Sequence, residues 1–512
     1  MRSKTATVAF LAIVLMLFSA ALRAEMTYMQ AKVFYYSEDK QLELRAMGLD
    51  IVISGEDYFE IITFPEQYEQ IQALGFQTEV IHDDLVSFFQ SRLDPTKDMG
   101  GYMTLSEINA HVDSIIAEHP DIVSAKISLG QTIEGRDMWA FKISDNPEID
   151  EDEPEVLFTA AIHAREVITP LVVLHFADHI TDNYATDPDI QELIDTREIW
   201  IVPVVNPDGY YHNEVIAPGG GGMWRKNRRD NGDGTFGIDL NRNFGYMWGY
   251  NNFGSSPDPA SLTYRGTGPF SEPESQNMRD FHNAHEFEIS VYFHSYGNIF
   301  YTAWGYNSSY PEDWDIFNYI IDSARTWNGY TNAIAAGGTN GSTDDWCYGE
   351  RTSKDKEFGL IWEVGSSEDN FWPIPARIPF LVEENLGACM FIARAAGRID
   401  SLYKARPPQT PDLTSPALVE DPNYDVTWTF EDTLNPAVEF ELSELMDHQV
   451  LIDSGDDFSY CIENNGFEIT TERSHSGTTS FYCGEAMVLL RYFIYEIPLQ
   501  VQANDSIKFW TY

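Results

Sequence analysis

The stretch Val156-Leu157-Phe158-Thr159-Ala160-Ala161-Ile162-His163-Ala164-Arg165-Glu166, with Thr169-Pro170 close behind, decides the fold class. Residues 156–161 carry no charge and read as a buried strand. The Thr-Pro pair reads as a helix opening, because proline suits the first helical turn, where its missing N–H is no loss. His163 and Glu166 therefore fall in the turn between a strand and a helix. In open α/β sheets ligands gather beyond the carboxyl ends of the strands, so this turn is a place to look for chemistry. Taken alone, a His and a Glu three apart describe a surface ion pair or a cap equally well.

Outward from this turn the pattern repeats. Strand-like runs at 199–205, 289–293 and 360–364 alternate with amphipathic helices between residues 100 and 400. Apolar strands separated by helices imply α/β architecture, with a largely buried sheet covered on both faces. Thr104 and Glu107 form a capping box, with Ile108, Val112, Ile115 and Ile116 on one helical face and Pro120 beyond its end. Gly100-Gly101 breaks the chain just before that helix. Residues 25–98 read as a small α+β unit, with strands at 51–53 and 59–62 and a helix at 67–74. Pro407, Pro408, Pro411 and Pro416 mark a linker over 404–416. Short strands rich in Thr, Ser, Phe and Tyr over 417–512 predict a partial β-sandwich that stops in mid-strand.

The N-terminus looks like a secretory signal over residues 1–24. Arg2 and Lys4 precede an apolar run at 6–22, and small residues offer cleavage after Ala21 or Ala24. An uncleaved anchor is the competing reading. The 512-residue chain has 32 Lys+Arg against 81 Asp+Glu, a formal net charge of -49 that disfavours nucleic acid and anionic membranes as partners. Among four cysteines, Cys461 and Cys483 are candidates for a disulfide, whereas Cys347 and Cys389 read as buried thiols.

A second histidine, His294, ends the strand at 289–293. Two histidines and one carboxylate suit zinc and leave the fourth tetrahedral position open, as a catalytic ion requires. Glu363 sits in the strand at 360–364, where a charge placed for stability alone is costly. Facing a metal site, it would serve as a general base. Arg225 and Arg242 lie in loops beside apolar segments. A guanidinium there can clamp a carboxylate or hold an oxyanion, although pairing with the abundant surface acids explains any single arginine.

Together, His163-Ala-Arg-Glu166, Asn206-Pro-Asp-Gly-Tyr210, Met223-Trp-Arg-Lys226, Asp239-Leu-Asn-Arg-Asn243, His294-Ser-Tyr296 and Glu363 resemble the zinc carboxypeptidases of the A/B type, in the family's order. The resemblance covers residues 100 to about 400. It implies a mixed, twisted sheet flanked by helices over a catalytic domain at 99–403. It also implies one Zn2+ per chain held by His163, Glu166 and His294, with Glu363 as base and Arg225 as oxyanion donor. Asn241 and Arg242 would grip the substrate's terminal carboxylate and Arg165 would assist binding, so the partners are peptides and proteins with a free C-terminus. Residues 25–98 would be a pro-region covering the site. The family's mobile tyrosine is missing: its register falls near Gly337-Gly338, and Tyr330 is the nearest upstream. Asp344 precedes Asp345-Trp346 where the B-type enzymes carry an acid that selects Lys or Arg termini. It reads either as that selector or as a loop acid.

Other readings remain open at this point: a catalytically inert peptide- or surface-binding relative, a chain whose C-terminal β-domain is the functional part, and a peptidase of cell-wall peptides. His175/His179 and His282/His285 have metal-like spacing but flanks that read as helix packing. The run 230–234 looks like a calcium loop without its closing glutamate.

Overall fold

The computed structural model describes residues 27–307, 309–334, 338–399 and 401–402, and beyond these only short strands between 412 and 495. The expected signal over 1–24 lies outside the described residues. The chain divides into two units, 1–402 and 403–512. In the second, three antiparallel strand pairs are described: 412–414 with 427–429, 461–465 with 492–495, and 468–470 with 480–482. Most of the linker, most of the expected sandwich and Cys483 fall outside the described residues, and residues 412–414 of the expected linker are a strand rather than irregular chain.

The first unit opens with the expected α+β fold. Strands β1 (Met29–Phe34), β2 (Asp50–Ser54), β3 (Tyr58–Thr63) and β4 (Gln77–His82) form an antiparallel sheet in the order β2-β3-β1-β4. Helices α1 (Glu38–Arg45), α2 (Pro65–Ala73) and α3 (Leu85–Gln90) accompany it. Alternation puts Ala31, Val33, Phe59 and Ile61 on one face, where Leu44, Ile71 and Phe76 close a small core.

An eight-stranded sheet follows, with strands β5 (Ile127–Gln131), β6 (Asp137–Ile143), β7 (Glu155–Thr159), β8 (Glu198–Val202), β9 (Phe287–His294), β10 (Ile299–Thr302), β11 (Thr331–Ile334) and β12 (Phe358–Glu363). Its order is β11-β10-β12-β9-β7-β8-β6-β5. The centre, β12-β9-β7-β8, is parallel, and β6 and β5 join antiparallel. The mixed sheet flanked by helices is as the sequence led one to expect. Helix α4 (Leu105–Glu118) carries the capping box of Thr104 and Glu107. Helix α5 (Thr169–Asn183) starts at the Thr-Pro pair, and α6 spans Pro188–Ile194.

The strand expected at 199–205 is shorter. It ends at Val202, before Pro203, and Asn206 caps α7 (Pro207–Ile216) by accepting from Gly209 N. Helices α8 (Pro273–Asn283), α9 (Trp314–Asn328), α10 (Thr343–Gly349) and α11 (Ile378–Ala395) complete the unit. On one face of the sheet Leu157, Trp200, Val202 and Tyr292 pack against Phe244, Met278, Phe281 and Trp346. On the other, α11 lies between α5 and α9. Cys347 and Cys389 are buried free thiols.

Among the buried acids, Glu274 stands out. Asn227 Nδ2 donates to its Oε2 at 3.1 Å, while its Oε1 has no partner. Burial first, then the nearby carboxylates of Glu272 and Asp208, push it up to about 7. A carboxyl raised on folding makes the native state bind more protons, so its contribution to stability is present below the unfolded value and is lost as pH rises through about 7. Glu274→Gln should therefore raise the melting temperature at pH 8 but hardly at pH 5, a gain on the order of a few kcal/mol. Equal shifts in thermal melts at the two pH values would count against this origin.

Candidate metal centre

Three neighbouring parallel strands deliver the proposed ligands and the proposed base. Past β7 the chain turns at Ala161, whose φ of 49° lies in the left-handed region. The turn 160–168 is pinned through its backbone: Asn206 Nδ2 donates to Ile162 O, Asn213 Nδ2 to Ala164 O, and Ala164 N to Arg225 O. Thr169 Oγ1 closes it by donating to Glu166 O at 2.8 Å. The turn holds His163, Arg165 and Glu166, all buried. His294 ends β9 beside β7, and Glu363 ends β12 directly in register with His294.

The ligand atoms converge. His163 Nδ1 lies 2.8 Å from Glu166 Oε1, His294 Nδ1 lies 3.1 Å from Glu166 Oε2, and the two Nδ1 atoms are 3.1 Å apart. Glu166 Oε2 is buried without an accepted hydrogen bond. Although burial pushes Glu166 up, the two imidazoles hold it below the usual carboxylate range. Two imidazole nitrogens and a carboxylate facing one point have no set of protons that satisfies all three contacts. A cation does satisfy them: zinc bonds of about 2.1 Å set tetrahedral ligands roughly 3.4 Å apart. The residues therefore fit one zinc ion. His163 Nε2 lies 3.1 Å from Asp239 Oδ1, the carboxylate support that metal-bound histidines take.

Around this trio stands a cleft lined by the proposed site residues His163, Arg165, Glu166, Arg225, Asn241, Arg242, His294 and Glu363. Arg225 is fixed by Asp239 Oδ2, to which its Nε and Nη2 donate at 3.2 and 2.9 Å, and its Nη1 is 3.7 Å from Glu166. Arg242 donates to Gly254 O and to Asn241 O. Asn241 Oδ1 accepts from Thr343 N at 2.9 Å. Burial first, then the Glu166 carboxylate, push Glu363 up to about 8.

Asp344 is set apart from these. It is fully buried in α10, is not among the cleft-lining residues, and neither of its oxygens has a hydrogen-bond partner. Burial raises its carboxyl above the ordinary value. Of the tyrosine register, Gly337 lies outside the described residues, while Gly338 lines the cleft. Tyr330 is turned elsewhere, donating to Glu384.

Two neighbours escaped sequence reasoning. Asp239 stood in a quoted motif, yet nothing marked it as the bridge between His163 and Arg225. Asp50, on β2, enters the cleft and accepts from Arg165 Nη2 at 2.6 Å. No local pattern announces that contact across 115 residues.

The metal-like spacings elsewhere resolve into packing. His175 meets Glu383 at the surface. His285 pairs with Glu155. His282, with Cys347 and Glu357, forms a second ligand-like group. Lys354 Nζ, however, lies 3.0 Å from Glu357 and already supplies the cation there. In the run 230–234, Asp230 and Asp233 bond their own turn, to Gly232 N and Thr235 N.

The profile of the family described as "Zinc carboxypeptidase" matches residues 108–388, more than half of the chain. The chain belongs to the zinc carboxypeptidase family. A zinc carboxypeptidase of Saccharothrix mutabilis subsp. capreolus is 38% identical over 213 residues, 40% of this chain and 48% of that one. Carboxypeptidase B of Astacus astacus is 33% identical over 268 residues, 49% of this chain and 84% of that one. The chain thus spans about half the length of the first of these curated relatives. The crystal structure of carboxypeptidase A from Helicoverpa armigera superposes with a TM-score of 0.63 at 23% identity, covering 73% of this chain and 99% of that one. That likeness supports the fold.

For this chain the trio makes a direct prediction. Elemental analysis should find one zinc per chain. Glu166→Ala should lower zinc affinity by far more than the roughly 10–100-fold expected from losing a supporting residue such as Asp239. Full zinc retention in Glu166→Ala would remove the trio as the binding site.

Proposed function

We propose that the chain is an exported zinc-dependent exopeptidase that hydrolyses the C-terminal peptide bond of peptides and proteins. The observation that carries this reading is the register of β9 and β12, which sets Glu363 beside His294 at the rim of the metal trio, with Arg225 across the same cleft. His163, Glu166 and His294 would hold the zinc ion, which would supply Lewis-acid polarisation of the scissile carbonyl. Glu363 takes the proton of the attacking water and returns it to the departing amine. Arg225, held rigid by Asp239, stabilises the negative charge that develops on the carbonyl oxygen. Asn241 and Arg242 bind the terminal carboxylate, which restricts cleavage to the last residue. Arg165 contacts the chain further in.

Residues 25–98 act as a pro-region. Asp50 offers Arg165 the carboxylate that a substrate would otherwise bring. Around it Gln30 Nε2 donates to Tyr296 OH at 3.0 Å and Ser261 Oγ to Gly48 O at 2.8 Å, which holds the unit over the cleft. A preference for Lys or Arg termini finds support in Asp344, a buried acid whose unpaired oxygens suit a cationic side chain. Export rests on the basic start and apolar run before residue 25. The N-terminus of secreted chain, expected at residue 22 or 25, checks it.

Release of free amino acid from short peptides tests the core of this reading. Glu363→Gln should keep its zinc and lose roughly 10²–10⁴-fold in kcat. The intact chain should be slow, and Asp50→Ala should speed it about ten-fold or more, because a charge-assisted hydrogen bond holding the pro-region is gone. An intact chain as fast as the processed one would refute the pro-region role. In the processed chain, Arg-terminated peptides should outrun Phe-terminated ones, and the reverse order would rule out Asp344 as selector.

A further inference from the structure

One wall of the cleft comes from β10 and β12. Their antiparallel register sets Tyr301 opposite Ile361 and Ile299 opposite Glu363. Directly paired residues share a face of the sheet, and so do residues two apart. Tyr301, Ile361 and Glu363 therefore look the same way, and all three line the cleft that holds Asn241 and Arg242.

Tyr301 is partly buried. Burial first, and then the Glu363 carboxylate, push its phenol up to about 12, so it stays a neutral hydroxyl able to give or take a hydrogen bond. Among the described residues that hydroxyl has no hydrogen-bond partner. Other tyrosines of the unit are committed: Tyr296 lies against Gln30 and Glu60, Tyr330 donates to Glu384, and Tyr348 to Asp313. A tyrosine hydroxyl drawn out of water usually finds a partner. Here the open side is the cleft.

We propose that Tyr301 is a specificity-determining residue of the terminal side-chain pocket, where its hydroxyl hydrogen-bonds the polar end of the substrate's last side chain while Ile361 packs against the stem. The favoured termini are long, unbranched side chains ending in a hydrogen-bond donor, such as Gln, Lys and Arg, over apolar chains of the same length. This deepens the exopeptidase reading and rests on it, but it is independent of Asp344. A pocket that hydrogen-bonds its ligand discriminates by leaving its own polar group unpaired when the wrong ligand enters.

Methionine and glutamine have nearly the same length and shape, so peptides differing only in a terminal Gln or Met isolate the hydroxyl. With the full chain processed by limited proteolysis, kcat/KM should favour Gln by about ten-fold or more. Tyr301→Phe should collapse that ratio towards one, chiefly through KM for the Gln peptide. Asp344→Asn should lower turnover of Lys and Arg termini and leave the Gln-to-Met ratio in place. The ratio is insensitive to general damage, which slows both peptides alike. An unchanged ratio in Tyr301→Phe, or equal loss on both peptides, would overturn the proposal while leaving the exopeptidase reading intact. No amino acid released from any peptide by the zinc-loaded wild-type chain would defeat that reading, and this one with it.

Discussion

Two imidazole nitrogens and a carboxylate, each within 3.1 Å of the others, form the constraint on which the rest of the structure depends. No arrangement of protons relieves all three contacts, so their positions must be enforced from outside. The parallel pairing of β7 and β9 brings the two histidine-bearing strand ends side by side. Asn206 and Asn213 pin the turn that carries His163 and Glu166. Asp239 then serves two masters with its two oxygens, one on His163 and one on Arg225. A shift of that single carboxylate would turn the imidazole and loosen the guanidinium together.

The balance of charge follows from the same constraint. A chain with a net charge of -49 nonetheless buries Arg165, Arg225 and Arg242 around one cleft. Each is stabilised differently: Arg225 by Asp239, Arg242 by backbone carbonyls, and Arg165 by Asp50 and the face of Phe371, 4.0 Å away. Arg165 Nε and Nη1 remain buried without acceptors. Its donors are thus only partly satisfied by the β2 carboxylate.

Much of the site was legible because its residues sit at punctuation marks. His163, Glu166 and His294 lie where an uncharged run stops and a turn or helix opening begins, and Glu363 closes a run that should carry no charge. Those are local signals with a mechanism behind them. Asp50 and Tyr301 gave none. Their significance depends on strand register and on packing between distant segments, which a period-two pattern leaves open. The strand expected at 199–205 overran for a related reason. Its apolar run continues past Pro203, but the chain leaves the sheet after Val202, and Val204 and Val205 are buried outside any strand.

Asp344 and Asp345 show why residue type alone could not assign the specificity pocket. They are neighbours in one short helix and both are fully buried. Asp345 accepts from Gly305 N and Tyr306 N at 2.7 and 2.9 Å, so each of its oxygens is met by the loop it organises. Asp344 meets no such donor. Its Cα lies so near Gly359 of β12 that a side chain there would come within 2.9 Å of it, which leaves α10 little room to retreat. Burying an acid without a partner is costly, and burial raises the Asp344 carboxyl above its ordinary value. The pair therefore divides by environment: Asp345 is held through both oxygens by the loop beside it, and Asp344 is buried with no hydrogen-bond partner at either oxygen.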